Sequence, residues 1–456
     1  MKEITSSYEE KLEEILHSLQ NENLQTFREA FLELHPYDQA SFFKELEKVE
    51  QESVFHFLSP EEIAELFEHL DMEDHDYQEL FARLLPSYVA DIFTHMSADD
   101  AADILIALEK QQALSYIALM PLEEASNVKA LMDYEEETAG SIMTLEYVSL
   151  YSHMTVHAAM ALLKAEAPNA ETIYYIYVVD EQKHLVGVVS LRNLIVSDDS
   201  TVIADIMNDS IYSVSVTQTR EEAARKMRDY DFLALPVIDF QGRLLGIITI
   251  DDIVDVLEEE ATDDYSKLAA VSNMDYVDQH PVSAAKKRLP WLIILLFLGM
   301  FTASLIGRFE ETLNKVSILA VFIPLIAGMA GNTGTQALAV AVRGIATGNL
   351  EKESKFKLIM REAGTGLITG GVCGILVTLV VYIWKGNIFL GLLVGASILG
   401  TLIVATIAGS IIPLLMNKLK IDPAVASGPF ITTLNDIISI LIYFGMATMF
   451  MGLLTS

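Results

Sequence analysis

The chain has 456 residues, with 64 Asp or Glu side chains and 30 Lys or Arg side chains, which gives a net charge of −34 at pH 7. Nucleic-acid binding needs positive surface against phosphate, so this balance excludes DNA and RNA as expected partners. From residue 290 onward there are ten basic and seven acidic side chains, which places the excess acidity in residues 1–289. A single cysteine, Cys373, excludes an intramolecular disulfide and a cysteine-based metal site.

Residues 1–138 contain a repeated pattern, in which a dipeptide with Pro or Ser precedes an Ala, and Leu or Met follows six residues after the Ala. Such units bury their apolar faces against their neighbours, so the pattern predicts five short helices stacked in an all-α superhelical array. An ordinary helical bundle is the alternative. The five copies start at His35, Ser59, Leu85, Ser97 and Met120.

Residues 139–260 contain one α/β module written twice. In each copy a β-rich run is followed by a second strand that opens a helix, with Gly, apolar residues, Ser or Thr, and then Asp or Asn three positions on. This signature resembles the tandem cystathionine-β-synthase (CBS) domain pair. The matching segments are Ile142 to Thr144, Thr172 to Val179 and Gly187 to Asn193 in the first copy, and Ile206 to Asn208, Leu233 to Ile238 and Gly246 to Asp252 in the second.

The CBS resemblance implies a cleft that often holds an adenine nucleotide, so ATP is a candidate ligand. The signature hydroxyl and carboxylate would lie near ribose or phosphate, and aromatic side chains would stack on the base. Asn193 stands where the family has a carboxylate, and the aromatic residues are equally well explained as core, so both interpretations stay open. The candidate nucleotide residues are Tyr175, Ser190, Arg192, Asn193 and Phe232.

Residues 261–289 predict an acidic connecting helix from about Thr262 to Arg288, and residues 290–456 predict five transmembrane helices. Each apolar stretch is near or above the ~20 residues that a helix needs to cross the hydrocarbon core. The stretches run from about Trp291 to Phe309, Val316 to Val342, Gly364 to Trp384, Ile388 to Met416 and Gly428 to Leu454.

The basic side chains between the spans predict the orientation in the membrane. Ten lie on the side of the first span's start, and only Arg308, Lys315 and Lys385 lie on the other. Because Lys and Arg gather on the cytosolic side, this predicts a multi-pass protein of the cell membrane with a cytoplasmic N-terminus and an extracytoplasmic C-terminus.

Two polar segments interrupt the apolar stretches. A charge at membrane depth costs from ~2.5 kcal/mol upward, so Asp436 in span five is a functional candidate, with a hydrogen-bonded structural carboxylate as the alternative. The segment from Gly328 to Gln336 in span two contains Asn332 and is predicted to break the helix and expose backbone carbonyls. Oxygen ligands of this kind suit Mg²⁺, which keeps several of its waters.

An acidic helical array, a CBS pair, an acidic connector and five spans in this order resemble the MgtE family of magnesium channels. Local motifs match as well: Asn332-Thr333-Gly334, Asp422-Pro423-Ala424, and Asp436. The resemblance implies a homodimer that takes up Mg²⁺ through a pore between the subunits, with Asp436, Asn332 and Asp422 as pore ligands. Gly428 stands where some relatives have an asparagine, so a ligand role at that position is in doubt.

The resemblance also implies that cytosolic Mg²⁺ closes the pore by binding between acidic faces, with the connecting helix as a plug. The alternative for each residue is a solvated surface carboxylate. The candidate sensor residues are Glu65, Asp99, Asp103, Glu221, Asp231, Asp252, Asp255, Glu260, Asp263 and Asp264.

The residues in the spans also bear on other classes of function. An intramembrane aspartyl protease needs two aspartates in the spans, and only Asp436 is present, so no enzymatic activity is expected. An anion channel would favour basic residues at midspan, and the spans have none there. A transporter of another divalent cation, Mn²⁺ or Co²⁺, and a non-conducting membrane sensor remain as alternatives.

The loop charges generate a topology prediction. A reporter fused before Met1 should be cytosolic, and a reporter fused after Ser456 should be external. Reporter accessibility in intact cells measures both positions, and finding both ends on one side would contradict five spans.

Overall fold

The computed structural model of the protein describes residues 2–70, 72, 74–271, 281–346, 355–423 and 428–454. It divides into two compact units, Met1–Leu257 and Glu258–Ser456. The first unit contains short helices followed by two small sheets, and the second contains long apolar helices.

The first unit begins with ten helices among the described residues. The repeat predicts five of them, α3, α5, α7, α8 and α10, and the other five lack its starting dipeptide. The helices are α1 (Lys2–Gln20), α2 (Leu24–Phe31), α3 (Pro36–Glu45), α4 (Lys48–Phe57), α5 (Pro60–Phe67), α6 (Asp74–Phe81), α7 (Pro86–His95), α8 (Ala98–Ala107), α9 (Lys110–Ile117) and α10 (Leu122–Met132).

Caps at the helix starts explain both the predicted and the missed helices. Pro36, Pro60 and Pro86 occupy the first helical position, where the missing N–H is not needed. Helix α4 instead starts after Glu47, whose carboxylate forms a capping box with Glu50, so no Pro or Ser marks its start.

A row of aromatic rings forms the centre of the helical array. Phe43 and Phe67 have ring centroids 6.1 Å apart, Phe67 and Phe81 5.6 Å, Phe81 and Phe93 5.5 Å, and Phe93 and Tyr116 6.1 Å. Each of these helices packs on the next helix but one in the chain: α3 packs on α5, α5 on α7 and α7 on α9. This regular offset is that of a superhelical array, as predicted, and not of a bundle.

Two three-stranded sheets follow, each with a parallel pair and an antiparallel pair. They have the orders β1-β2-β3 and β4-β5-β6, and the repeated register pairs Tyr175 with Ser190 and Ala234 with Thr249. The elements are β1 (Tyr147–Tyr151), α11 (Val156–Glu166), a 3₁₀ turn (Ala167–Asn169), β2 (Thr172–Val179), β3 (Leu185–Ser190), α12 (Leu191–Val196), α13 (Ile203–Ile206), β4 (Val214–Ser215), α14 (Arg220–Tyr230), β5 (Ala234–Ile238) and β6 (Leu244–Thr249).

The segments that precede the two modules cross over to the opposite sheet. Thr144, ahead of the first sheet, exchanges backbone hydrogen bonds with Ile247 in β6, and Asn208, ahead of the second, does the same with Val188 in β3. Glycine permits this close approach, because a Cβ at Gly246 would lie 2.6 Å from the Thr144 carbonyl oxygen. The modules are therefore joined by exchanged strands.

Long apolar helices make up most of the second unit. The helices are α15 (Ile250–Ala269, which starts in the first unit), α16 (Pro281–Gly307), α17 (Glu310–Lys315), a 3₁₀ segment (Ser317–Phe322), α18 (Ile323–Ala346), α19 (Lys355–Lys385), α20 (Ile388–Lys418), α21 (Gly428–Met449) and α22 (Met451–Leu454). Five segments are long and apolar enough to cross a membrane: Pro281–Gly307, Ser317–Ile345, Lys355–Lys385, Ile388–Lys418 and Gly428–Met449. The predicted five-helix membrane domain is confirmed.

Glycines bring α19 and α20 into backbone contact. A Cβ at Gly374 would lie 2.6 Å from the Gly395 carbonyl oxygen, and one at Gly391 would lie 2.7 Å from the Thr378 carbonyl oxygen. The Thr378 hydroxyl also donates to the Gly391 carbonyl oxygen across the helices at 3.0 Å. Small residues and interhelical hydrogen bonds are the usual means of helix association in membranes.

The predicted helix break in span two is wrong. Helix α18 runs without interruption through Asn332, and its glycines admit side chains of α21. A Cβ at Gly331 would lie 2.6 Å from Thr432 Cγ2, and one at Gly334 would lie 1.8 Å from Asn435 Nδ2. The glycines therefore serve close packing, which composition alone does not distinguish from a break.

The predicted connecting helix also differs from the structure. Helix α15 ends at Ala269, and Ala270 has a left-handed φ of 57°, which terminates a helix. Helix α16 then begins at Pro281 and continues through the first span. Residues 272–280 of the predicted connecting helix, and residues 424–427 before span five, lie outside the described residues.

The α19–α20 contact predicts different effects for two glycines on one helix. Gly374→Ala should lower the stability of the detergent-solubilised protein by about 1–3 kcal/mol, because the methyl group meets backbone. Gly371→Ala is the matched control, since a Cβ there meets nothing within 4 Å, and it should be neutral or stabilising by up to ~1 kcal/mol. Thermal unfolding measures both, and equal midpoints would contradict the packing argument.

Candidate functional site

Five carboxylates from four parts of the first unit lie close enough for their charges to interact, and we refer to them as the acidic cluster. Asp99 and Asp100 lie in the first turn of α8, and Glu68 directly follows α5. Glu146 directly precedes β1, and Asp252 lies in the first turn of α15. The acidic cluster thus joins the helical array to both CBS modules.

Short hydrogen bonds hold these carboxylates in place. The Ser97 N–H donates to Glu68 Oε1 at 3.0 Å, and the Ser97 hydroxyl donates to Asp100 Oδ2 at 2.5 Å. The Ala98 N–H, at the start of α8, donates to Glu146 Oε1 at 3.3 Å.

Both CBS modules hold their carboxylate with a threonine hydroxyl. Thr144 donates to Glu146 Oε2 at 2.5 Å, and Thr249 donates to Asp252 Oδ2 at 2.6 Å. The Thr249–Asp252 bond explains the spacing of the CBS signature, because a hydroxyl and a carboxylate three residues apart cap the start of a helix. In the first copy the Ser190 hydroxyl accepts from the backbone N–H of Asn193 at 3.2 Å.

Burial raises the pKa values of four members of the acidic cluster, Glu68, Asp99, Asp100 and Asp252. The pKa of Asp99 rises to about 6, that of Asp252 to about 7 and that of Asp100 to about 8. Neighbouring negative charge adds to burial, from Glu146 on Asp99 and from Asp99 on both Asp100 and Asp252. Asp99 Oδ1 is also buried without a hydrogen-bond partner in the described part of the chain. A bound cation would relieve this repulsion.

The structure brings some of the candidate sensor residues together. The charge of Asp99 adds to burial in raising the pKa of Asp252, and the charge of Glu65 adds to burial in raising the pKa of Glu68. Glu68, Asp100 and Glu146 were missed, because they become neighbours only through folding. The one available signal was Ser97 three residues before Asp100, which is the spacing of a helix cap.

The other candidate sensor residues are not members of the acidic cluster. Glu221 is in the first turn of α14, and Asp231 ends that helix with a left-handed φ of 54°. Asp263 pairs with Lys267 one turn later. Asp103, Asp255, Glu260 and Asp264 each have polar interactions of their own. Across the described ranges, no three His, Cys, Asp or Glu side chains form a group that could hold a metal ion.

The nucleotide candidates divide between two places. Tyr175 packs on the apolar contact between the two sheets, which is built from Tyr177, Val179, Ala234, Leu244 and Ile247. Phe232 belongs to an aromatic group that the sequence did not predict, because its ring centroid lies 5.5 Å from that of Tyr230 and 5.6 Å from that of Tyr212. Arg192 and Asn193 are exposed.

In the second unit, α18 and α21 cross at the depth of Asn332 and Asp436. Thr335 and Thr432 have hydroxyl oxygens 3.3 Å apart, and the Asn435 amide occupies the notch at Gly334. Asn332 is exposed on α18, and Asp436 is half-buried on α21. Within the described ranges, neither side chain forms an ion pair.

Asp422, the third pore candidate, lies in the turn between α20 and α21. Its carboxylate accepts a hydrogen bond from the Lys267 ammonium, which also pairs with Asp263. Burial by itself would lower the pKa of Lys267, but these two carboxylates outweigh it and raise that pKa. Asp422 is therefore already bound to a cationic group of the protein.

A helical array, paired CBS modules and five apolar helices with a carboxylate at membrane depth define a multi-pass membrane transporter with regulatory domains. Family profiles agree with this class. The profile of the MgtE intracellular N domain matches residues 34–137, that of the CBS domain matches 139–198 and 203–259, and that of the MgtE divalent cation transporter matches 323–446.

Close relatives complete the assignment. The magnesium transporter MgtE of Enterococcus faecalis is 51% identical over 444 residues, which are 97% of this chain and 98% of the relative. A crystal structure of the soluble part of a magnesium transporter is 47% identical, covers 56% of this chain and 99% of its own, and has a TM-score of 0.54. The chain belongs to the MgtE family of magnesium transporters, which is not an enzyme class.

A second solved structure is the cytosolic domain of the Mg²⁺ channel MgtE in complex with ATP. It is 40% identical, covers 54% of this chain and 99% of its own, and has a TM-score of 0.51. The CBS pair predicted from the two signatures is thereby confirmed as a fold.

The raised pKa values predict how stability depends on pH. Carboxyl groups with folded pKa values of about 6 to 8 keep protons that the unfolded chain releases near pH 4. Without divalent cations, residues 1–257 should therefore lose stability from pH 5 to pH 8, by about 1.4 kcal/mol per pH unit for each such proton. Urea unfolding in chelator measures the slope.

The control for this prediction is Asp252→Asn, which removes one titrating group and should flatten the slope. Mg²⁺ should stabilise the wild type more at pH 8 than at pH 5, because the ion binds the ionised form. A slope that is unchanged by Asp252→Asn would contradict the assignment of the pH dependence to the acidic cluster.

Proposed function

We propose that this protein is a homodimeric channel for Mg²⁺ uptake that closes when cytosolic Mg²⁺ is plentiful. The single observation that carries the proposal is a polar face at membrane depth: Asn332 and Gln336 are exposed one turn apart on α18, beside the α21 helix that carries Asp436. Oxygen-bearing side chains facing lipid would cost free energy, so this face is expected to line water.

A second copy of the chain is the partner that would enclose this face. One carboxylate from each subunit would then lie beside a common axis, where it could attract a hydrated Mg²⁺ without holding it too tightly to leave. Asn332 would contribute an amide oxygen to the waters of the ion. Gly428 has no side chain to contribute, so we assign it no ligand role.

The acidic cluster supports closure by cytosolic Mg²⁺. Two carboxylates ~4 Å apart repel by about 4 kcal/mol at an effective dielectric of ~20, whereas reversing a two-state equilibrium from 1:99 to 99:1 takes about 5.5 kcal/mol. A few repelling carboxylate pairs are therefore enough to decide whether the channel is open or closed. Mg²⁺ between the carboxylates would replace repulsion by attraction and hold the helical array against the CBS pair.

In this proposal each predicted domain has its own role. Residues 1–138 and 139–260 sense Mg²⁺ in the cytoplasm, residues 261–289 connect, and residues 290–456 conduct. Glu65, Asp103, Glu221, Asp231, Asp255, Glu260, Asp263 and Asp264 remain proposed sensor residues beside the acidic cluster. The N-terminus is cytoplasmic and the C-terminus is extracytoplasmic in this arrangement.

ATP is proposed as a modulator that binds the CBS pair. The support is the relative's cytosolic domain, which was solved with ATP. Tyr175, Ser190, Arg192, Asn193 and Phe232 are the proposed contacts. An amide at Asn193 can still accept a ribose hydrogen bond, and the exposed aromatic pair of Tyr212 and Tyr230 beside Phe232 offers further stacking surface.

A transporter of Mn²⁺ or Co²⁺ is the second candidate function, since the membrane profile describes divalent cation transport. The oxygen-only donors at Asp436 and Asn332 favour the hard Mg²⁺ ion over the softer ions, which accept nitrogen and sulfur ligands.

Ion flux in proteoliposomes tests the proposed function. Wild-type protein should carry Mg²⁺, and Asp436→Asn should reduce Mg²⁺ flux or its selectivity over Mn²⁺ and Co²⁺ by about tenfold or more, because the attracting charge is lost. Asp436→Glu keeps the charge and should be milder, and the exposed Glu310→Gln should behave as wild type. A wild type without Mg²⁺ flux would reject the transport function, and a fully active Asp436→Asn would remove Asp436 from the pore.

A further inference from the structure

The last turn of α15 carries a lysine between two carboxylates. The Lys267 ammonium contacts Asp263, one turn earlier on the same helix, and Asp422, which lies 155 residues further along the chain between α20 and α21. All three side chains are about a third to a half exposed. The Lys267–Asp422 pair therefore ties the end of α15 to the membrane helices.

The same turn of α15 also makes apolar contacts with the membrane helices. Leu268 packs on a cluster of Leu338, Val342 and Ile431, where α18 finishes and α21 begins. The Leu268 carbonyl oxygen lies 3.4 Å from the Cβ position of Gly428, so a larger residue at 428 would press on α15. The neighbouring Ser266 is 4% exposed. An exposed ion pair alone stabilises little, but here the apolar contact of the neighbouring Leu268 adds to it.

Asp422 is a proposed pore ligand, and a lysine ammonium competes with a divalent cation for the same carboxylate oxygens. We propose that Lys267 is an autoinhibitory latch, which holds the end of α15 on Asp422 and must leave before Mg²⁺ can use that carboxylate. This inference rests on the proposed function, and it adds that a cation of the protein itself competes with the conducted ion.

The second partner of Lys267 connects the latch to magnesium sensing. Asp263 is a proposed sensor residue, and it now shares the lysine with Asp422. Mg²⁺ bound at Asp263 would neutralise that carboxylate, and Lys267 would then be attracted to Asp422 alone. High cytosolic Mg²⁺ thus tightens the latch, and low Mg²⁺ lets Asp263 draw the ammonium away from Asp422.

The test is the cytosolic Mg²⁺ concentration that half-closes the full-length protein in proteoliposomes. Lys267→Met keeps the stem of the side chain and removes the charge, so it should raise this concentration roughly fivefold, which is the effect of a strong exposed ion pair. Lys267→Gln is a second neutral variant with the same expected result, and Lys267→Arg keeps the charge and should stay within about twofold of wild type.

A charge exchange tests whether the pair itself is responsible. Asp422→Lys and Lys267→Glu should each raise the half-closing concentration, and the double variant should return towards wild type because attraction is restored. Half-closing concentrations are compared because they do not depend on the maximal flux, which Asp422→Lys is expected to change. The matched control is Lys315→Met, since Lys315 forms the same one-turn pair with Glu311 at 2.7 Å outside this region.

The outcomes separate the latch from the transport function. Wild-type protein without Mg²⁺ flux would reject the proposed function. Normal wild-type flux with unchanged half-closing concentrations in both Lys267→Met and Lys267→Gln would overturn the latch. A double variant that closes no better than the two single variants would overturn the Lys267–Asp422 pairing as its cause.

Discussion

The repulsion between carboxylates that are partly removed from water is the physical interaction on which the rest of this structure depends. Asp99, Asp100 and Asp252 are half-buried in one cluster, and desolvation together with neighbouring negative charge raises their pKa values. Hydrogen bonds from Ser97, Thr144 and Thr249 fix the carboxylates without neutralising them. The first unit therefore holds like charges close together, and a divalent cation or protons would relieve their repulsion.

The backbone hydrogen bonds that the two CBS modules exchange explain how this charge repulsion can affect the contact between the domains of the first unit. Thr144 bonds to Ile247 through the backbone and to Glu146 through its hydroxyl, while Thr249, two residues beyond Ile247, holds Asp252. One hydrogen-bonded crossing thus positions a carboxylate from each module. The helical array contributes the start of α8, so a change of charge at this point bears on three structural parts at once.

The two ends of α15 have opposite electrostatic surroundings. Asp252, in its first turn, lies among acidic neighbours, whereas Lys267, in its last turn, lies between two carboxylates. Both contacts therefore belong to residues of one helix, twenty residues long. Within the membrane helices, glycines provide the close packing that holds Asp436 and Asn332 at the same depth.

Sequence alone determined the features that depend on local pattern. Strand β2 runs from Thr172 to Val179 as predicted, the five spans are helices, and two of the predicted sensor residues, Asp99 and Asp252, belong to the acidic cluster. Tertiary structure decided whether the glycines around Asn332 break a helix or pack one, since the deciding contact comes from Asn435 about a hundred residues later. It also decided that Glu68, Asp100 and Glu146 share a cluster and that Lys267 meets Asp422. Periodicity reports which face of an element is apolar, whereas a charge–charge contact depends on distance, which only the folded chain sets.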